Sequence, residues 1–343
     1  MKRQFVILTS GQTSPITAKT AACVIRYRRD EVVALLDETQ RGKTSQELLD
    51  VGDVPVVGSL EEAPGANSLL IGIAAPGGKI PPAWRSIILA AIRRGMEIVS
   101  GMHEFLADDP EFVQAAAQHQ VRLWDVRNNR LRVIARGVGL RDRCLRILTV
   151  GHDCSCGKMV TAVEVAQALK QRGVDAKFAA TGQTGIIVEG DGYPIDCMVA
   201  DFVSGAAEQL VLDHQHHAVL VIEGQGSVAH PSFSGVTLGL LHGSQPHGLL
   251  LCYEVGRTHV HRLEHLPLPS LARFKEWNET LGSIYRPCRV IGIAMNSRRV
   301  SAAEAEAERG RVRAEFGLPV CDVFRHGPDE LVDAVLRLQQ TRY

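Results

Sequence analysis

Gly151-His152-Asp153-Cys154-Ser155-Cys156-Gly157-Lys158 is the stretch that decides the fold. An apolar run over residues 145–150 precedes it, and an amphipathic run over residues 159–169 follows it. This order predicts a strand, a glycine-bearing loop and a helix. Such a loop brings backbone N–H groups and a helix N-terminus close to a bound anion. Lys158 adds a positive charge for the same phosphates.

The loop departs from the common phosphate loop at two points. Five residues, rather than the usual four, separate Gly151 from Gly157, and Met159 stands where a Ser or Thr would bind Mg²⁺. A thioether is a poor ligand for a hard cation. The alternative interpretation is a glycine-rich turn between strand and helix with a solvated lysine.

Length and charge set further limits. A chain of 343 residues exceeds one average domain, so we expect a Rossmann-like domain over residues 1–135 and a phosphate-loop domain over residues 136–343. The 38 acidic and 38 basic residues cancel, which favours a small-molecule substrate over nucleic acid or an anionic membrane. No apolar run approaches the ~20 residues of a membrane helix. The eight scattered cysteines indicate a reducing cytoplasm, and two-domain enzymes of this kind are often homo-oligomers.

The first half follows a strand–helix–strand order. Residues 5–8 and 31–36 read as strands around a helix at 16–27, which predicts an α/β fold with a parallel sheet. Asp37 ends the second strand, where an acid can bind a ribose hydroxyl. Only Gly11 of the dinucleotide fingerprint is present, however, so a domain without cofactor is the alternative.

Two later loops of the first half also lie at strand ends. Gly77-Gly78-Lys79 and His103-Glu104 are predicted to face the cleft of that sheet. His103 is either a functional group or an ordinary loop histidine. The arginine-rich residues 128–143 read as the connection between the domains, and we favour a solvated linker over a phosphate-binding role.

In the second half, polar groups follow two buried strands. Residues 176–180 run into the loop 181–185, and residues 218–222 run into Glu223. An acid between a buried strand and two glycines can touch a metal or a reacting group; the alternative is a turn or helix-capping residue. His230 is the candidate general base. Candidate substrate ligands are Thr181, Gln183, Thr184, Gln225, Ser227 and Arg257, the last because a guanidinium binds carboxylates bidentately.

This half resembles the phosphate-loop proteins that include dethiobiotin synthetase. The loop spacing, the acid at Asp153 and the string Glu223-Gly224-Gln225-Gly226 match that group, and Asn296 matches its adenine-reading Asn. The resemblance implies an α/β nucleotide site built from Gly151, Asp153, Cys154, Ser155, Cys156, Gly157, Lys158, Met159 and Asn296. The pair Lys158-Met159 departs from the group's Lys-Thr.

Longer strings, spread over nearly the whole chain, resemble the D-glutamate N-acetyltransferase family. They lie at residues 180–185, 200–202, 205–208, 223–227, 230–233, 238–246 and 256–257. The resemblance implies transfer of acetyl from acetyl-CoA to the amine of D-glutamate, a step of amino-acid catabolism. A phosphate loop that lacks its Mg²⁺ ligand is suited to hold the phosphates of coenzyme A without a metal.

These observations leave three functions open. In an acetyltransferase, Glu223 or His230 would be the base, the glycines at 182–185 or 224–226 would offer N–H groups to the oxyanion, and Arg257 would hold a substrate carboxylate. In an ATP-dependent kinase or ligase acting on a small carboxylate, Glu223 and Asp153 would hold Mg²⁺. The third is a nucleotide-binding regulatory protein without turnover. We favour the acetyltransferase, with acetyl-CoA as cofactor and no metal.

Overall fold

The computed structural model describes residues 2–74 and 76–341. The chain divides into two compact units, one of residues 1–129 and 186–190 and one of residues 130–185 and 191–343. The sequence placed this division after residue 135. Each unit is built on a parallel sheet, which confirms the predicted α/β class. Within the described residues, no helix is both long and apolar enough to cross a membrane.

The first unit contains a six-stranded parallel sheet with the strand order β3-β2-β1-β4-β5-β6, the order of the Rossmann fold. Its strands are β1 (Phe5–Leu8), β2 (Val32–Leu36), β3 (Val56–Val57), β4 (Ser68–Ile71), β5 (Glu97–Ser100) and β6 (Leu123–Asp125). Its helices are α1 (Lys19–Tyr27), α2 (Ser45–Leu49), α3 (Arg85–Arg93) and α4 (Pro110–Gln118).

The second unit contains a six-stranded parallel sheet and a short antiparallel hairpin. The sheet strands are β7 (Leu145–Gly151), β8 (Ala176–Ala179), β9 (Val219–Ile222), β10 (Gly248–Glu254), β13 (Arg289–Asn296) and β14 (Val320–Cys321), in the order β14-β13-β10-β7-β9-β8. The hairpin pairs β11 (His259–Val260) with β12 (Leu263–Pro267). The helices are α5 (Lys158–Gln171), α7 (Val203–His214), α8 (Ser234–Ser244), α9 (Leu271–Gly282), α10 (Ala302–Phe316) and α11 (Asp329–Gln340). A further helix, α6 (Gln183–Glu189), begins in this unit, and its residues from 186 onward belong to the first.

Burial explains why these runs form strands. Every residue of β7 and of β10 is buried, as expected of parallel strands with helices on both faces. Because the strands are parallel, their carboxyl ends meet at one edge of the sheet, and the loops that follow them lie together. This edge carries the candidate site.

Two differences from the sequence prediction lie close to the candidate site. The stretch 181–185, predicted as a loop, instead leads into α6, although glycine and threonine are weak helix formers. The reason is a close approach: a Cβ at Gly185 would lie 2.3 Å from Glu223 Oε2, so only glycine allows the helix to pack there. The β11–β12 hairpin was not predicted, because its strands are short and largely exposed.

The arginine-rich connection, residues 128–143, lies along α7 and forms neither helix nor strand. The amides of Arg136 and Gly137 donate to Glu208 Oε2 at 2.6 and 3.2 Å. Gly205 leaves room for the carbonyl of Val133, which a Cβ would approach to 1.9 Å. The backbone is therefore anchored. Its five arginine side chains, Arg130, Arg132, Arg136, Arg141 and Arg143, are exposed, as the prediction of a solvated linker requires.

Candidate functional site

The phosphate loop has the geometry of an anion site. Ser155 and Gly157 have left-handed φ values of 55° and 110°, and α5 begins at Lys158. Gly151 must be glycine, since a Cβ there would lie 2.7 Å from Cys156 Sγ and 2.9 Å from Lys158 Nζ. Lys158 is buried, and its Nζ donates to the Asp153 carbonyl at 2.7 Å. A loop wrapped around a buried ammonium at a helix N-terminus suits a phosphate.

Asp153 and Arg257 hold this loop against the end of β10. Asp153 Oδ1 accepts from the Cys154 amide at 2.6 Å, and Oδ2 accepts from the His261 amide at 2.7 Å and from Arg257 Nη1 at 2.9 Å. Arg257 Nη1 also donates to the Cys154 carbonyl, and Nη2 donates to Glu254 Oε2 at 2.8 Å. The guanidinium predicted to hold a substrate carboxylate is thus engaged by protein groups, and it positions the loop.

The loop does not offer a set of ligands for Mg²⁺. Met159 occupies the usual hydroxyl position, and the side chain of Thr161 is hydrogen-bonded to Cys252. Both oxygens of Asp153 already accept hydrogen bonds from N–H donors of the chain. Hard cations require oxygen ligands with free lone pairs. The arrangement fits an anion bound by N–H groups and an ammonium better than a metal–nucleotide complex.

A second group of possible metal ligands joins two residues of the loop to His230. Asp153, Cys154 and His230 each offer a ligand atom within 4.8 Å of the others. His230 Nδ1, however, accepts a hydrogen bond from the Ser232 amide at 3.1 Å. A metal-bound histidine uses one nitrogen for the metal and donates from the other. With Nδ1 as an acceptor and Asp153 paired to Arg257, these side chains do not fit a metal centre.

The same hydrogen bond defines what His230 can do chemically. A neutral imidazole has one donor and one acceptor nitrogen, so acceptance at Nδ1 puts the proton on Nε2. The ring is buried, and its centroid lies 4.6 Å from that of Phe233. His230 therefore presents a hydrogen-bond donor rather than the free lone pair that a general base requires.

Glu223 is held at the end of β9 by the loop after β8. Its Oε2 accepts from the amides of Thr181 and Gly182 at 2.9 and 3.1 Å, and its carbonyl accepts from Thr181 Oγ1 at 2.8 Å. Gln225 Nε2 donates to Thr181 Oγ1 at 3.1 Å. Burial raises the pKa of Glu223 to about 7. The carboxyl group can therefore exchange a proton at neutral pH.

The two glycines after Glu223 allow close contacts with its neighbours. A Cβ at Gly224 would lie 1.7 Å from the Thr149 carbonyl oxygen and 3.1 Å from Lys158 Cδ. Gly226 has a φ of 65°, and its Cβ would lie 2.2 Å from the Phe233 carbonyl oxygen. Gly224 thus brings the Glu223 strand end and the Lys158 side chain into one site.

The remaining predicted residues lie around this centre. Ser227 is fully buried and donates from Oγ to the His152 carbonyl at 3.1 Å, so it ties the β9 loop to the phosphate loop. Asn296 ends β13, with its Nδ2 4.0 Å from the position of a Cβ on Gly157. Gln183 is buried in the first turn of α6, and Thr184 beside it is half-buried.

Sequence reasoning missed His152, which lies inside the decisive loop. Its ring is 6 % exposed, neither ring nitrogen has a hydrogen-bond partner, and the rings of Tyr253 and Phe274 meet it edge-on. Burial, with the charge of Arg257, lowers the pKa of His152 to about 3. The loop pattern includes His152, but it does not predict that the side chain of His152 is buried in the core.

An ion-pair cluster at the ends of β10 and β13 was also missed. Glu254 is 1 % exposed, and besides Arg257 it binds Arg298 through Oε2 at 2.8 Å and Arg299 through Oε1 at 3.2 Å. An acid at a strand end was a visible signal. The two arginines follow Asn296 in sequence, but their convergence on Glu254 depends on strand order.

The first unit uses its predicted site residues structurally. Asp37 is fully buried and accepts from Thr13 Oγ1 at 2.5 Å and from the amide and hydroxyl of Thr39 at 3.0 and 2.7 Å. Its carboxylate thus fixes two loops rather than presenting itself to a ribose. The two later loops do meet, since the amides of His103 and Glu104 both donate to the Gly78 carbonyl.

Comparison with known proteins identifies the family. The family model described as "Domain of unknown function (DUF1611_C) P-loop domain" matches residues 133–332, and the DUF1611_N "Rossmann-like domain" matches residues 38–129. The chain belongs to the DUF1611 family. Both descriptions agree with the predicted Rossmann-like and phosphate-loop halves.

Two proteins named D-glutamate N-acetyltransferase share much of this sequence. A D-glutamate N-acetyltransferase from Pseudoalteromonas sp is 42 % identical over 269 residues, which cover 78 % of this chain and 81 % of that protein. One from Tritonibacter scottomollicae is 41 % identical over 281 residues, 81 % of this chain and 84 % of that protein. The resemblance to the D-glutamate N-acetyltransferase family is confirmed.

A solved structure of the same family has the same fold. The crystal structure of a DUF1611 family protein from Anabaena variabilis superposes with a TM-score of 0.92 at 37 % identity, covering 98 % of this chain and 99 % of that one. The architecture predicted from the phosphate loop is thereby confirmed.

Proposed function

We propose that this protein is an N-acetyltransferase that moves the acetyl group of acetyl-CoA to the amine of D-glutamate. The observation that carries the proposal is the 41–42 % identity, over about four fifths of the chain, to two proteins named D-glutamate N-acetyltransferase. A cytoplasmic location and a homo-oligomeric state stay predictions of the sequence.

The phosphate loop supports a coenzyme A donor. Its N–H groups and buried Lys158 supply what a diphosphate needs, while Met159 and the hydrogen-bonded Asp153 are poor ligands for Mg²⁺ at the loop. Coenzyme A binds enzymes through its phosphates without requiring a metal for group transfer, because its reactive bond is the thioester. We therefore assign the loop to phosphates of acetyl-CoA.

Glu223 is our candidate for the general base. The amine of D-glutamate must lose a proton before its nitrogen attacks the thioester carbon. The C–N bond then forms, the C–S bond breaks, and the coenzyme A thiolate leaves and takes up a proton. A carboxylate with a pKa of about 7 can accept the amine proton at neutral pH. His230 Nε2–H would donate a hydrogen bond to the oxyanion or the leaving sulfur.

The two assignments are linked by Gly224. Gly224 follows Glu223 in sequence, and a Cβ on it would lie 3.1 Å from Lys158 Cδ, so the proposed base and the proposed phosphate site lie side by side. Glu223 variants and Lys158 variants test the two assignments separately, since the first should affect turnover and the second donor binding.

The primary experiment follows coenzyme A release and N-acetylglutamate formation by the purified protein with acetyl-CoA and D-glutamate. We expect turnover without added metal, with L-glutamate as the comparison acceptor. ATP with Mg²⁺ and the same acceptor is the control for a kinase or ligase. ATP consumption with no acetyl transfer would overturn the proposal.

Two substitutions separate donor binding from chemistry. Lys158→Ala should raise the KM for acetyl-CoA more than about tenfold with little change in the KM for D-glutamate. Lys170→Ala, an exposed lysine of the same helix, is the matched control. Glu223→Gln should lower kcat about 10²-fold or more and remove the rise of activity around pH 7. An unchanged KM for acetyl-CoA in Lys158→Ala would refute the placement of the donor.

A further inference from the structure

The ion-pair cluster beside the loop carries more positive than negative charge. Glu254 and Asp153 are its two carboxylates, and Arg257, Arg298 and Arg299 are its three guanidinium groups. Lys158, at the loop itself, is a fourth cation. Four cations against two carboxylates leave an excess of two positive charges within this group of side chains, which favours anions beside it.

The three arginines differ in what they can reach. The Arg257 side chain is 7 % exposed and is engaged by Asp153, Glu254 and the loop backbone. The side chains of Arg298 and Arg299 are 44 % and 56 % exposed, and each contacts Glu254. Glu254 therefore orients two guanidinium groups whose other N–H donors can meet a ligand.

The sheet places these two arginines next to the phosphate loop. Glu254 and Asn296 are register partners on β10 and β13, and the Val255 amide donates to the Asn296 carbonyl at 3.0 Å. Asn296 in turn approaches Gly157 of the loop. Because β10 also pairs with β7, the loop, Glu254 and the arginines follow one another along a single edge.

We infer that Arg298 and Arg299 bind the 3′-phosphate of acetyl-CoA and make this protein select coenzyme A over nucleotides that lack that group. The inference rests on the proposed function. Coenzyme A carries phosphate on two positions of one ribose, a 5′-diphosphate and a 3′-monophosphate. It therefore requires two anion sites a short distance apart. The loop with Lys158 is the first, and the arginine pair oriented by Glu254 is the second.

D-Glutamate offers a competing anion for the same arginines. Its two carboxylates, like a phosphate, accept paired hydrogen bonds from a guanidinium. The two ligands are distinguished by the substrate whose KM responds. A role in 3′-phosphate binding affects the donor only, and its effect vanishes with a donor that lacks this phosphate.

The experiment compares acetyl-CoA with 3′-dephospho-acetyl-CoA as donors for four proteins: the parent, Arg298→Ala/Arg299→Ala, Lys158→Ala and the control Arg273→Ala. Arg273 is an exposed arginine of α9 paired with Glu276. We expect the KM of the parent for acetyl-CoA to be at least about tenfold lower than its KM for 3′-dephospho-acetyl-CoA. The double variant should lose this preference for acetyl-CoA. Lys158→Ala should raise the KM for both donors and keep the preference. Arg273→Ala should behave as the parent.

Three results would overturn the inference: a parent that uses both donors equally, a double variant that keeps the preference, or one that raises only the KM for D-glutamate. Arg298→Lys/Arg299→Lys, which keeps the charge and loses the paired donors, should give an intermediate preference.

If neither donor supports turnover, the proposed function fails. In that case, calorimetric titration of the protein with adenosine 3′,5′-bisphosphate, and separately with AMP, still tests whether the arginines bind the 3′-phosphate. Tighter binding of the bisphosphate by the parent than by the double variant supports the inference, and equal binding overturns it.

Discussion

Arg257 Nη1 lies 2.9 Å from Asp153 Oδ2, with side-chain exposures of 7 % and 0 %. This buried pair joins the phosphate loop after β7 to the end of β10. The second arm of Arg257 reaches Glu254, so one guanidinium pairs with two buried carboxylates, and Arg298 and Arg299 complete the pairing of Glu254. Removing it would leave both carboxylates buried and only partly compensated, which is costlier than losing the contact itself.

Arg257→Ala is therefore expected to lower the free energy of unfolding of the second unit by about 3–5 kcal/mol. Urea unfolding measures it, followed by the fluorescence of Trp277 in a background that carries Trp84→Phe and Trp124→Phe, because those two tryptophans lie in the first unit. The exposed Arg273→Ala should change the same quantity by less than about 0.5 kcal/mol. A loss of under about 1 kcal/mol in Arg257→Ala would mean that other groups or water compensate the two carboxylates.

Gly224→Ala should be among the most damaging single-methyl changes at the site. The added Cβ would meet the Thr149 carbonyl at 1.7 Å, and a backbone atom of a central strand cannot move away cheaply. We expect a loss of about 1–3 kcal/mol in stability together with a loss of turnover. Gly235→Ala, in α8, is the control, because a Cβ there has no atom within 4 Å. Equal behaviour of the two variants would contradict the close approach at Gly224.

The sequence predicted the parallel strands and the loop because those features are local. An apolar run before a glycine-bearing loop indicates a buried strand wherever it occurs, and Glu223 follows directly from its place after such a run. The partners of Asp37, Arg257 and Glu254 depend instead on which strands are neighbours. Residues more than 100 apart in sequence, such as Asp153 and Arg257, meet only through the order β10-β7, and no local pattern contains that information.

Glu223 should make the second unit less stable as pH rises. Its pKa is raised from 4.5 to about 7 in the folded chain, so the folded state holds the proton more tightly than the unfolded state. The stabilisation is complete below about pH 4.5 and is lost as pH rises through about 7, a loss of about 3 kcal/mol. The glutamine side chain of Glu223→Gln cannot ionise, so this variant should not show that loss of stability. Relative to the parent, the variant should gain stability between about pH 5 and pH 8 in urea titrations. A parallel pH dependence of the two proteins would show that Glu223 has an ordinary pKa.

His152 should act in the opposite direction at lower pH. Its pKa falls from 6.5 to about 3 on folding, so the unfolded chain takes up the proton first. Its contribution to stability is complete above about pH 6.5 and is lost as pH falls toward 3, with about 2 kcal/mol gone at pH 5.

His152→Leu removes the titration and keeps an apolar side chain against Tyr253 and Phe274. We expect the variant to lose about 2 kcal/mol less than the parent when urea unfolding is compared at about pH 7.5 and pH 5. His265→Leu, at an exposed histidine, should follow the parent at both values. If His152→Leu were as acid-sensitive as the parent, the imidazole would have to be protonated in the folded protein, and a hydrogen-bonding group or water would have to reach its ring.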